Sequence, residues 1–258
     1  MNAIKSARRA ARLSAFAALT PTMLAAYSAH DAVTQRDRSL LRDRWFGAWC
    51  DAMLRVFGIH VIAIGEPTSR PSRGRLVVSN HRGVADVLVL LSTFGGRMVS
   101  RADISRWPLI GLAGRELGTV FVDRTDARSG VATIRAMRTL LAAGETVSIF
   151  PEGTTFSGDE VRPFHAGGFA AASGSGADIV PVGLAYARKS EAAFGDETFG
   201  QHLGRMAAAP PSFVVVSVGT PLVLDAKMRA AQCAELAREA VAREVARARE
   251  EADRRENS

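Results

Sequence analysis

Six short apolar runs, at residues 59–64, 76–78, 119–122, 147–150, 179–185 and 213–218, most constrain what this chain can fold into. Rich in Val, Ile and Phe, they read as strands. Helical spacing fills the stretches 84–94 and 128–142 between them. Strands alternating with helices predict an α/β fold: a mixed sheet flanked by helices, with functional loops at the strand ends. Pro181 interrupts one run, and because proline cannot donate to a ladder, a regular central ladder is not expected there. Residues 66–73, with prolines and serines, read as a loop. From Asp225 onward the pattern is a long Ala-, Arg- and Glu-rich helix with Met228, Leu236, Val241 and Val245 partly on one face. Its charges read as a solvated surface.

Ahead of the sheet the chain changes character. Lys5, Arg8, Arg9 and Arg12 precede an uncharged run at 13–29 that contains Pro21. About 17 residues is the short limit for a membrane span, and the proline predicts a kink. The run ends Tyr27-Ser28-Ala29 without a small-x-small cleavage site, against a signal peptide. A transmembrane span stays open. The reading adopted is a kinked helix held in one leaflet, its arginines among anionic headgroups. Residues 34–57 set Leu41, Trp45, Trp49 and Leu54 against Arg36, Arg38, Arg42 and Asp43 at helical spacing, and the tryptophans suit a membrane interface or a protein core. The expected organisation is a membrane-associating helical segment at 1–57, an α/β domain at 58–224 and a C-terminal helix at 225–258.

Composition narrows the function classes. With 47% hydrophobic and 23% charged residues the chain is expected to fold. Its net charge of +7 comes with only three lysines among 33 basic residues. That pattern fits either a compositional bias or an anionic partner such as lipid headgroups or an acidic carrier. The arginines do not gather with aromatics on one stripe and no recognition motif is visible, so no nucleic acid is expected. Cys50 and Cys233 form no CxxC pair and fit a reducing compartment. There is no Gly-x-Ser-x-Gly elbow, no Gly-x4-Gly-Lys phosphate loop and no His-Glu-x-x-His, which disfavours hydrolase, nucleotide and metal chemistry.

The sharpest local signal is Asn80-His81-Arg82-Gly83-Val84-Ala85-Asp86, directly after the run 76–78. If the loop turns into a helix between them, Asp86 can hold one nitrogen of His81. The other nitrogen is then free to take a proton from a hydroxyl. This is the base-and-orienter half of a serine-protease triad, with the substrate's own hydroxyl as nucleophile. Three further blocks close other runs: Gly118 to Arg124, ending in an arginine suited to phosphate; Phe150-Pro151-Glu152-Gly153-Thr154; and Ile179-Val180-Pro181-Val182-Gly183.

In this order and spacing the four blocks resemble the glycerolipid acyltransferase family, specifically the bacterial 1-acyl-glycerol-3-phosphate acyltransferases, over roughly residues 45–220. The resemblance implies transfer of a fatty acyl group from acyl-CoA or acyl carrier protein to the free hydroxyl of a lysolipid, at the cytoplasmic face of the inner membrane. It implies no metal and no organic cofactor. His81 would be the general base and Asp86 its partner, with Asn80, Arg124, Glu152, Gly153, Thr154 and Pro181 contributing to substrate binding. This chain departs from the family at three positions. His165 stands where Pro-Phe-Lys-x-Gly carries lysine, Arg101 replaces another common lysine, and Thr155 follows Thr154 where arginine is frequent. With fewer basic residues at the acceptor site, both lysophosphatidate and an amide-linked acceptor such as lyso-ornithine lipid remain open. A non-catalytic lipid-binding protein is the alternative from another class.

Overall fold

Each of the six apolar runs is a strand, and Arg97–Arg101 adds one more. The computed structural model describes residues 2–34, 37–66, 73–107, 109–123, 125–173, 175–195, 197–222 and 228–258. In chain order the strands are β1 (Ile59–Ile64), β2 (Arg75–Ser79), β3 (Arg97–Arg101), β4 (Val120–Val122), β5 (Thr146–Ile149), β6 (Asp178–Tyr186) and β7 (Ser212–Val218). The helices are α1 (Asn2–Val33), α2 (Arg38–Phe57), α3 (Ala85–Phe94), α4 (Ile110–Glu116), α5 (Ala127–Ala142), α6 (Gly167–Ala172), α7 (Phe199–Ala208) and α8 (Ala230–Glu256), with a 3₁₀ turn at Ala102–Arg106.

The strands form one sheet in the order β1-β7-β6-β2-β5-β3-β4, parallel except where β6 meets β7. The mixed sheet expected from the sequence is therefore present. Alternation along β2 explains its two-sided core. Val77 faces α2, α3 and α7 together with Val180, Val182 and Leu184. Leu76 and Val78 face α5, α6 and α8 with Val147, Ile149 and Ile179. A strand buried on both faces reads as a continuous apolar run, which is why Leu76-Val77-Val78 of β2 is legible in the sequence.

Pro181 sits inside the sheet, paired with Val78 of β2. The ladder between β6 and β7 stops beside it: Gly219 donates to the Pro181 carbonyl at 2.9 Å, and the return bond, which needs an N–H on Pro181, cannot form. The proline thus ends the pairing with β7 while keeping its place against β2.

The N-terminal segment is helical as expected, with Pro21 inside α1. No helix among the described residues is long and apolar enough to cross a membrane. Of its four basic residues, Arg8 donates to Ala208 O at 3.3 Å and Arg12 to Ala209 O at 2.8 Å, satisfying orphan carbonyls at the end of α7, while Lys5 and Arg9 are exposed. The two tryptophans fasten α2 to α1, with Trp45 donating to His30 Nδ1 at 3.1 Å and Trp49 to Thr20 Oγ1 at 3.3 Å. Helix α2 starts where the Asp37 side chain accepts from Ser39 and Leu40 N–H, and ends at Gly58, whose φ of 71° favours glycine.

Helix α8 has the expected apolar face at Val241 and Val245 and the expected solvated charges, with Glu235, Glu239, Arg243 and Arg247 exposed, but most of its buried face is alanine. Cys233, Ala234, Ala237, Val241, Val245, Ala248 and Ala252 form a buried small-residue face, whereas Leu236 is exposed. This face lies on β6 and β7. Contact is close enough that a Cβ on Gly183 would stand 2.1 Å from the Glu244 carbonyl carbon. Gly183→Ala is therefore expected to cost about 2 kcal/mol or more through overpacking, seen as a fall of several degrees in Tm. An unchanged Tm would contradict the close docking of α8.

Candidate active site

The carboxyl ends of β2, β5, β3, β4 and β6 point the same way, because all five run parallel. Loops leaving adjacent parallel strands converge at that edge, where open α/β sheets bind ligands. His81 leaves β2 by two residues. Asp86 follows in the first turn of α3 and is fully buried. His81 Nδ1 lies 2.8 Å from Asp86 Oδ2. The same oxygen accepts the backbone N–H groups of Arg82 and of Gly83, the latter at 2.8 Å. Oδ1 accepts the phenol of Tyr186 at 2.6 Å.

Four donors thus fix the carboxylate. Burial, then the Asp86 charge and hydrogen bond, push the Tyr186 phenol up from its ordinary value, so it stays a donor. The imidazole is held from its face as well, stacked on the Phe150 ring with centroids 3.9 Å apart and planes 6° from parallel. With the Nδ1 proton given to Asp86, Nε2 is the acceptor nitrogen, and it makes no hydrogen bond among the described residues.

His81 lines a cavity of about 360 Å³ whose walls are mostly apolar, including Met53, Leu88, Leu91, Met98 and Phe121. Gly153, Thr154 and Thr155 line it too, and Arg101 is the only arginine among the described lining residues. Arg101 is engaged: it grips Asp103 through Nε at 2.9 Å and Nη2 at 2.8 Å. Those bonds hold the Asp103 carboxyl below its usual range. His165 is exposed and outside the cavity lining. Among the described residues no cluster of three or more His, Cys, Asp or Glu side chains could hold a metal ion. Both cysteines are free and buried, and burial pushes the Cys50 thiol well up.

Several residues that the resemblance assigns to substrate binding are placed elsewhere. Asn80 is fully buried, and its amide spans to β6, donating to Leu184 O at 2.9 Å and accepting from Leu184 N at 2.8 Å. Glu152 has a fully buried side chain that accepts His81 N–H at 2.6 Å, Arg82 Nη1 at 3.0 Å and Arg162 N–H at 3.0 Å. Arg82 in turn holds the next loop by donating to Glu160 O at 2.8 Å. Glu152 and Arg82 are therefore a clamp between the His81 loop and the loop after β5. Pro181 is buried in the sheet and does not line the cavity. Gly153, with φ 85°, makes the turn that brings the loop back to the cavity. Arg124 lies outside the described residues. Tyr186, Phe150 and Arg82 were not singled out from sequence for these roles. For Tyr186 the available signal was its place on the same face of β6 as Val182 and Leu184.

The acyltransferase family profile matches residues 60–185, which span β1 to β6. Across 237 residues the chain is 30% identical to a lyso-ornithine lipid O-acyltransferase of Pseudomonas aeruginosa, covering 90% of this chain and 89% of that one. The chain belongs to the acyltransferase family. A 1-acyl-sn-glycerol-3-phosphate acyltransferase of Neisseria gonorrhoeae is 33% identical to this acyltransferase over 125 residues, 48% of this chain and 49% of the relative. The crystal structure of a 1-acyl-sn-glycerophosphate acyltransferase from Thermotoga maritima shares the acyltransferase's fold with a TM-score of 0.74, covering 94% of this chain and 95% of that one at 18% identity.

The clamp makes a prediction that separates support from substrate binding. Glu152→Ala leaves the buried Arg82 charge unpaired, so it should cost about 3–5 kcal/mol in urea unfolding and lower kcat by displacing His81. A variant of native stability whose only change is a raised acceptor KM would return Glu152 to a binding role.

Proposed function

We propose that this acyltransferase transfers a fatty acyl group from an acyl thioester to the free hydroxyl of a lysolipid, with His81 as general base and Asp86 as its orienting partner. The observation that carries this reading is the His81–Asp86 pair at an apolar cavity. The acyl chain occupies the apolar walls and leaves its thioester carbonyl beside His81. The acceptor hydroxyl gives its proton to Nε2 as its oxygen attacks that carbonyl. The tetrahedral intermediate collapses and expels the thiolate, which recovers the proton from Nε2. Ester and free thiol are the products, and no cofactor is consumed. Gly153 and Thr154 contribute to acceptor binding in this reading, and Arg124 contributes by meeting an anionic group of the acceptor, a phosphate or a carboxylate.

For the acceptor we favour an amide-linked lysolipid of the lyso-ornithine type. Support comes from the similarity that extends over nine-tenths of the chain, and from the neutral Thr155 and the paired Arg101 at the cavity. A phosphomonoester carries up to two negative charges and is best met by unpaired cations. Lysophosphatidate is the second reading, favoured by the 33% identity over the central 125 residues. Exposed Ile4 and Leu19 on α1 and Leu112 on α4 support docking on a membrane surface. The thioester donor, acyl-CoA or acyl carrier protein, and the free cysteines fit its cytoplasmic face.

The test is an assay of the purified chain with a radiolabelled acyl thioester against a panel of lysolipids. Label should enter the ester of diacylated ornithine lipid in preference to phosphatidate. His81→Ala should reduce the rate by about 10²–10⁴-fold, the range for a positioned base. Asp86→Asn should lose orders of magnitude through the wrong tautomer. Preference for lysophosphatidate would decide for the second reading. Release of free fatty acid alone, or full activity of His81→Ala, would overturn the mechanism. Binding of lysolipid with no turnover would favour a non-catalytic role.

A further inference from the structure

The transfer mechanism uses one oxygen of Asp86, and the other is bonded to a residue that the mechanism does not mention. Tyr186 is the last residue of β6, which lies directly beside β2. The pairing of Ser79 with Val182 carries β6 past the end of β2, so its final residue arrives level with the start of α3. There the phenol donates to Asp86 Oδ1 at 2.6 Å, and both side chains are buried. Resting on the proposed roles of His81 and Asp86, we infer that Tyr186 is a positioning residue for acyl transfer, one that fixes the Asp86 carboxylate and through it tunes the basicity of His81.

Two physical effects follow from the bond. It stops the carboxylate turning about its own axis, so that Oδ2 stays on His81 Nδ1 and the two backbone N–H groups. It also draws negative charge toward Oδ1, away from the oxygen that meets the imidazole. A chain of hydrogen bonds in a dry site polarises along its length, so a change at Tyr186 reaches Nε2 through Asp86. A phenol that only filled a gap in the core would have neither effect on the imidazole.

The groups that face this chain are few. From α7 comes His202, fully buried, held at Nδ1 by Glu197 at 3.0 Å and kept below its usual pKa by burial. Arg205 is paired with that same Glu197. From the loop after β5 comes Glu152, already paired with Arg82. None of these donates to Oδ1, so the donor at that oxygen is the phenol.

The experiment compares pH profiles of kcat/KM for the full-length wild type and Tyr186→Phe, using the thioester and lysolipid on which the wild type is active. Loss of the phenol leaves more charge on Asp86 to stabilise the imidazolium at His81, so the acid limb should move to higher pH. At the plateau kcat should fall about tenfold, with both KM values within about twofold. In an Asp86→Asn background the same change should cost nothing more, because its effect runs through Asp86. The chain has only two tyrosines, so 3-fluorotyrosine in a Tyr27→Phe background supplies a second, isosteric variant. Its stronger donor should move the acid limb the opposite way, and this arm decides the matter if Tyr186→Phe does not fold. Superimposable profiles with wild-type kcat, or losses that multiply in the Asp86→Asn background, would overturn the inference while leaving acyl transfer intact. A wild type with no transfer at all would overturn both.

Discussion

The buried carboxylate of Asp86 is the interaction on which the site depends. It receives the imidazole of His81, two backbone N–H groups of the intervening loop and the phenol of Tyr186. Those donors come from the end of β2, the loop into α3 and the end of β6, so the carboxylate joins three elements at the edge of the sheet. Each of them offsets part of the cost of burying it, because a buried carboxylate without partners is costly. The parallel pairing of β6 with β2 is what brings these partners together: adjacent strands deliver Tyr186 and His81 side by side at their carboxyl ends.

A second layer holds the first. Glu152 and Arg82, paired and buried, tie the His81 loop to the loop after β5, and Asn80 ties it to β6 through Leu184. The first and third blocks thus supply, besides His81 and Asp86, the buried residues that hold the His81 loop in place. The cavity beside it is apolar, with few charges to compete for a hydroxyl proton. Exclusion of water there matters because water is the nucleophile that would turn transfer into hydrolysis.

How much of this was visible in the sequence depends on whether partners are near in the chain. His81 and Asp86 are five residues apart, so their pairing could be read from spacing once a helix start lay between them. Strand β2 is legible because burial on both faces leaves the continuous apolar run Leu76-Val77-Val78. By contrast, Glu152 meets His81 N–H across 71 residues and Arg12 meets the end of α7 across nearly 200, and no local pattern encodes such contacts. The carbonyl bonds of Arg8 and Arg12 at the end of α7 are therefore not legible in the basic cluster that contains them. Strand β3 escaped notice because arginines bound it at both ends, and α4 and α6 because seven and six residues carry little periodicity. In α8 the sequence pattern marks Val241 and Val245 as inward but places Leu236 with them wrongly, because alanine, the main buried residue, is weak evidence for a core face until the sheet beneath is known.

The most direct test of the account is a crystal structure of the full chain with a stable thioether analogue of an acyl thioester. The acyl chain should lie between Met53, Leu88, Leu91 and Phe121, with the sulfur end beside His81 and Nδ1 still on Asp86, leaving Nε2 open to an incoming hydroxyl. An acyl chain bound outside this cavity, or an imidazole turned away from it, would contradict the central claim.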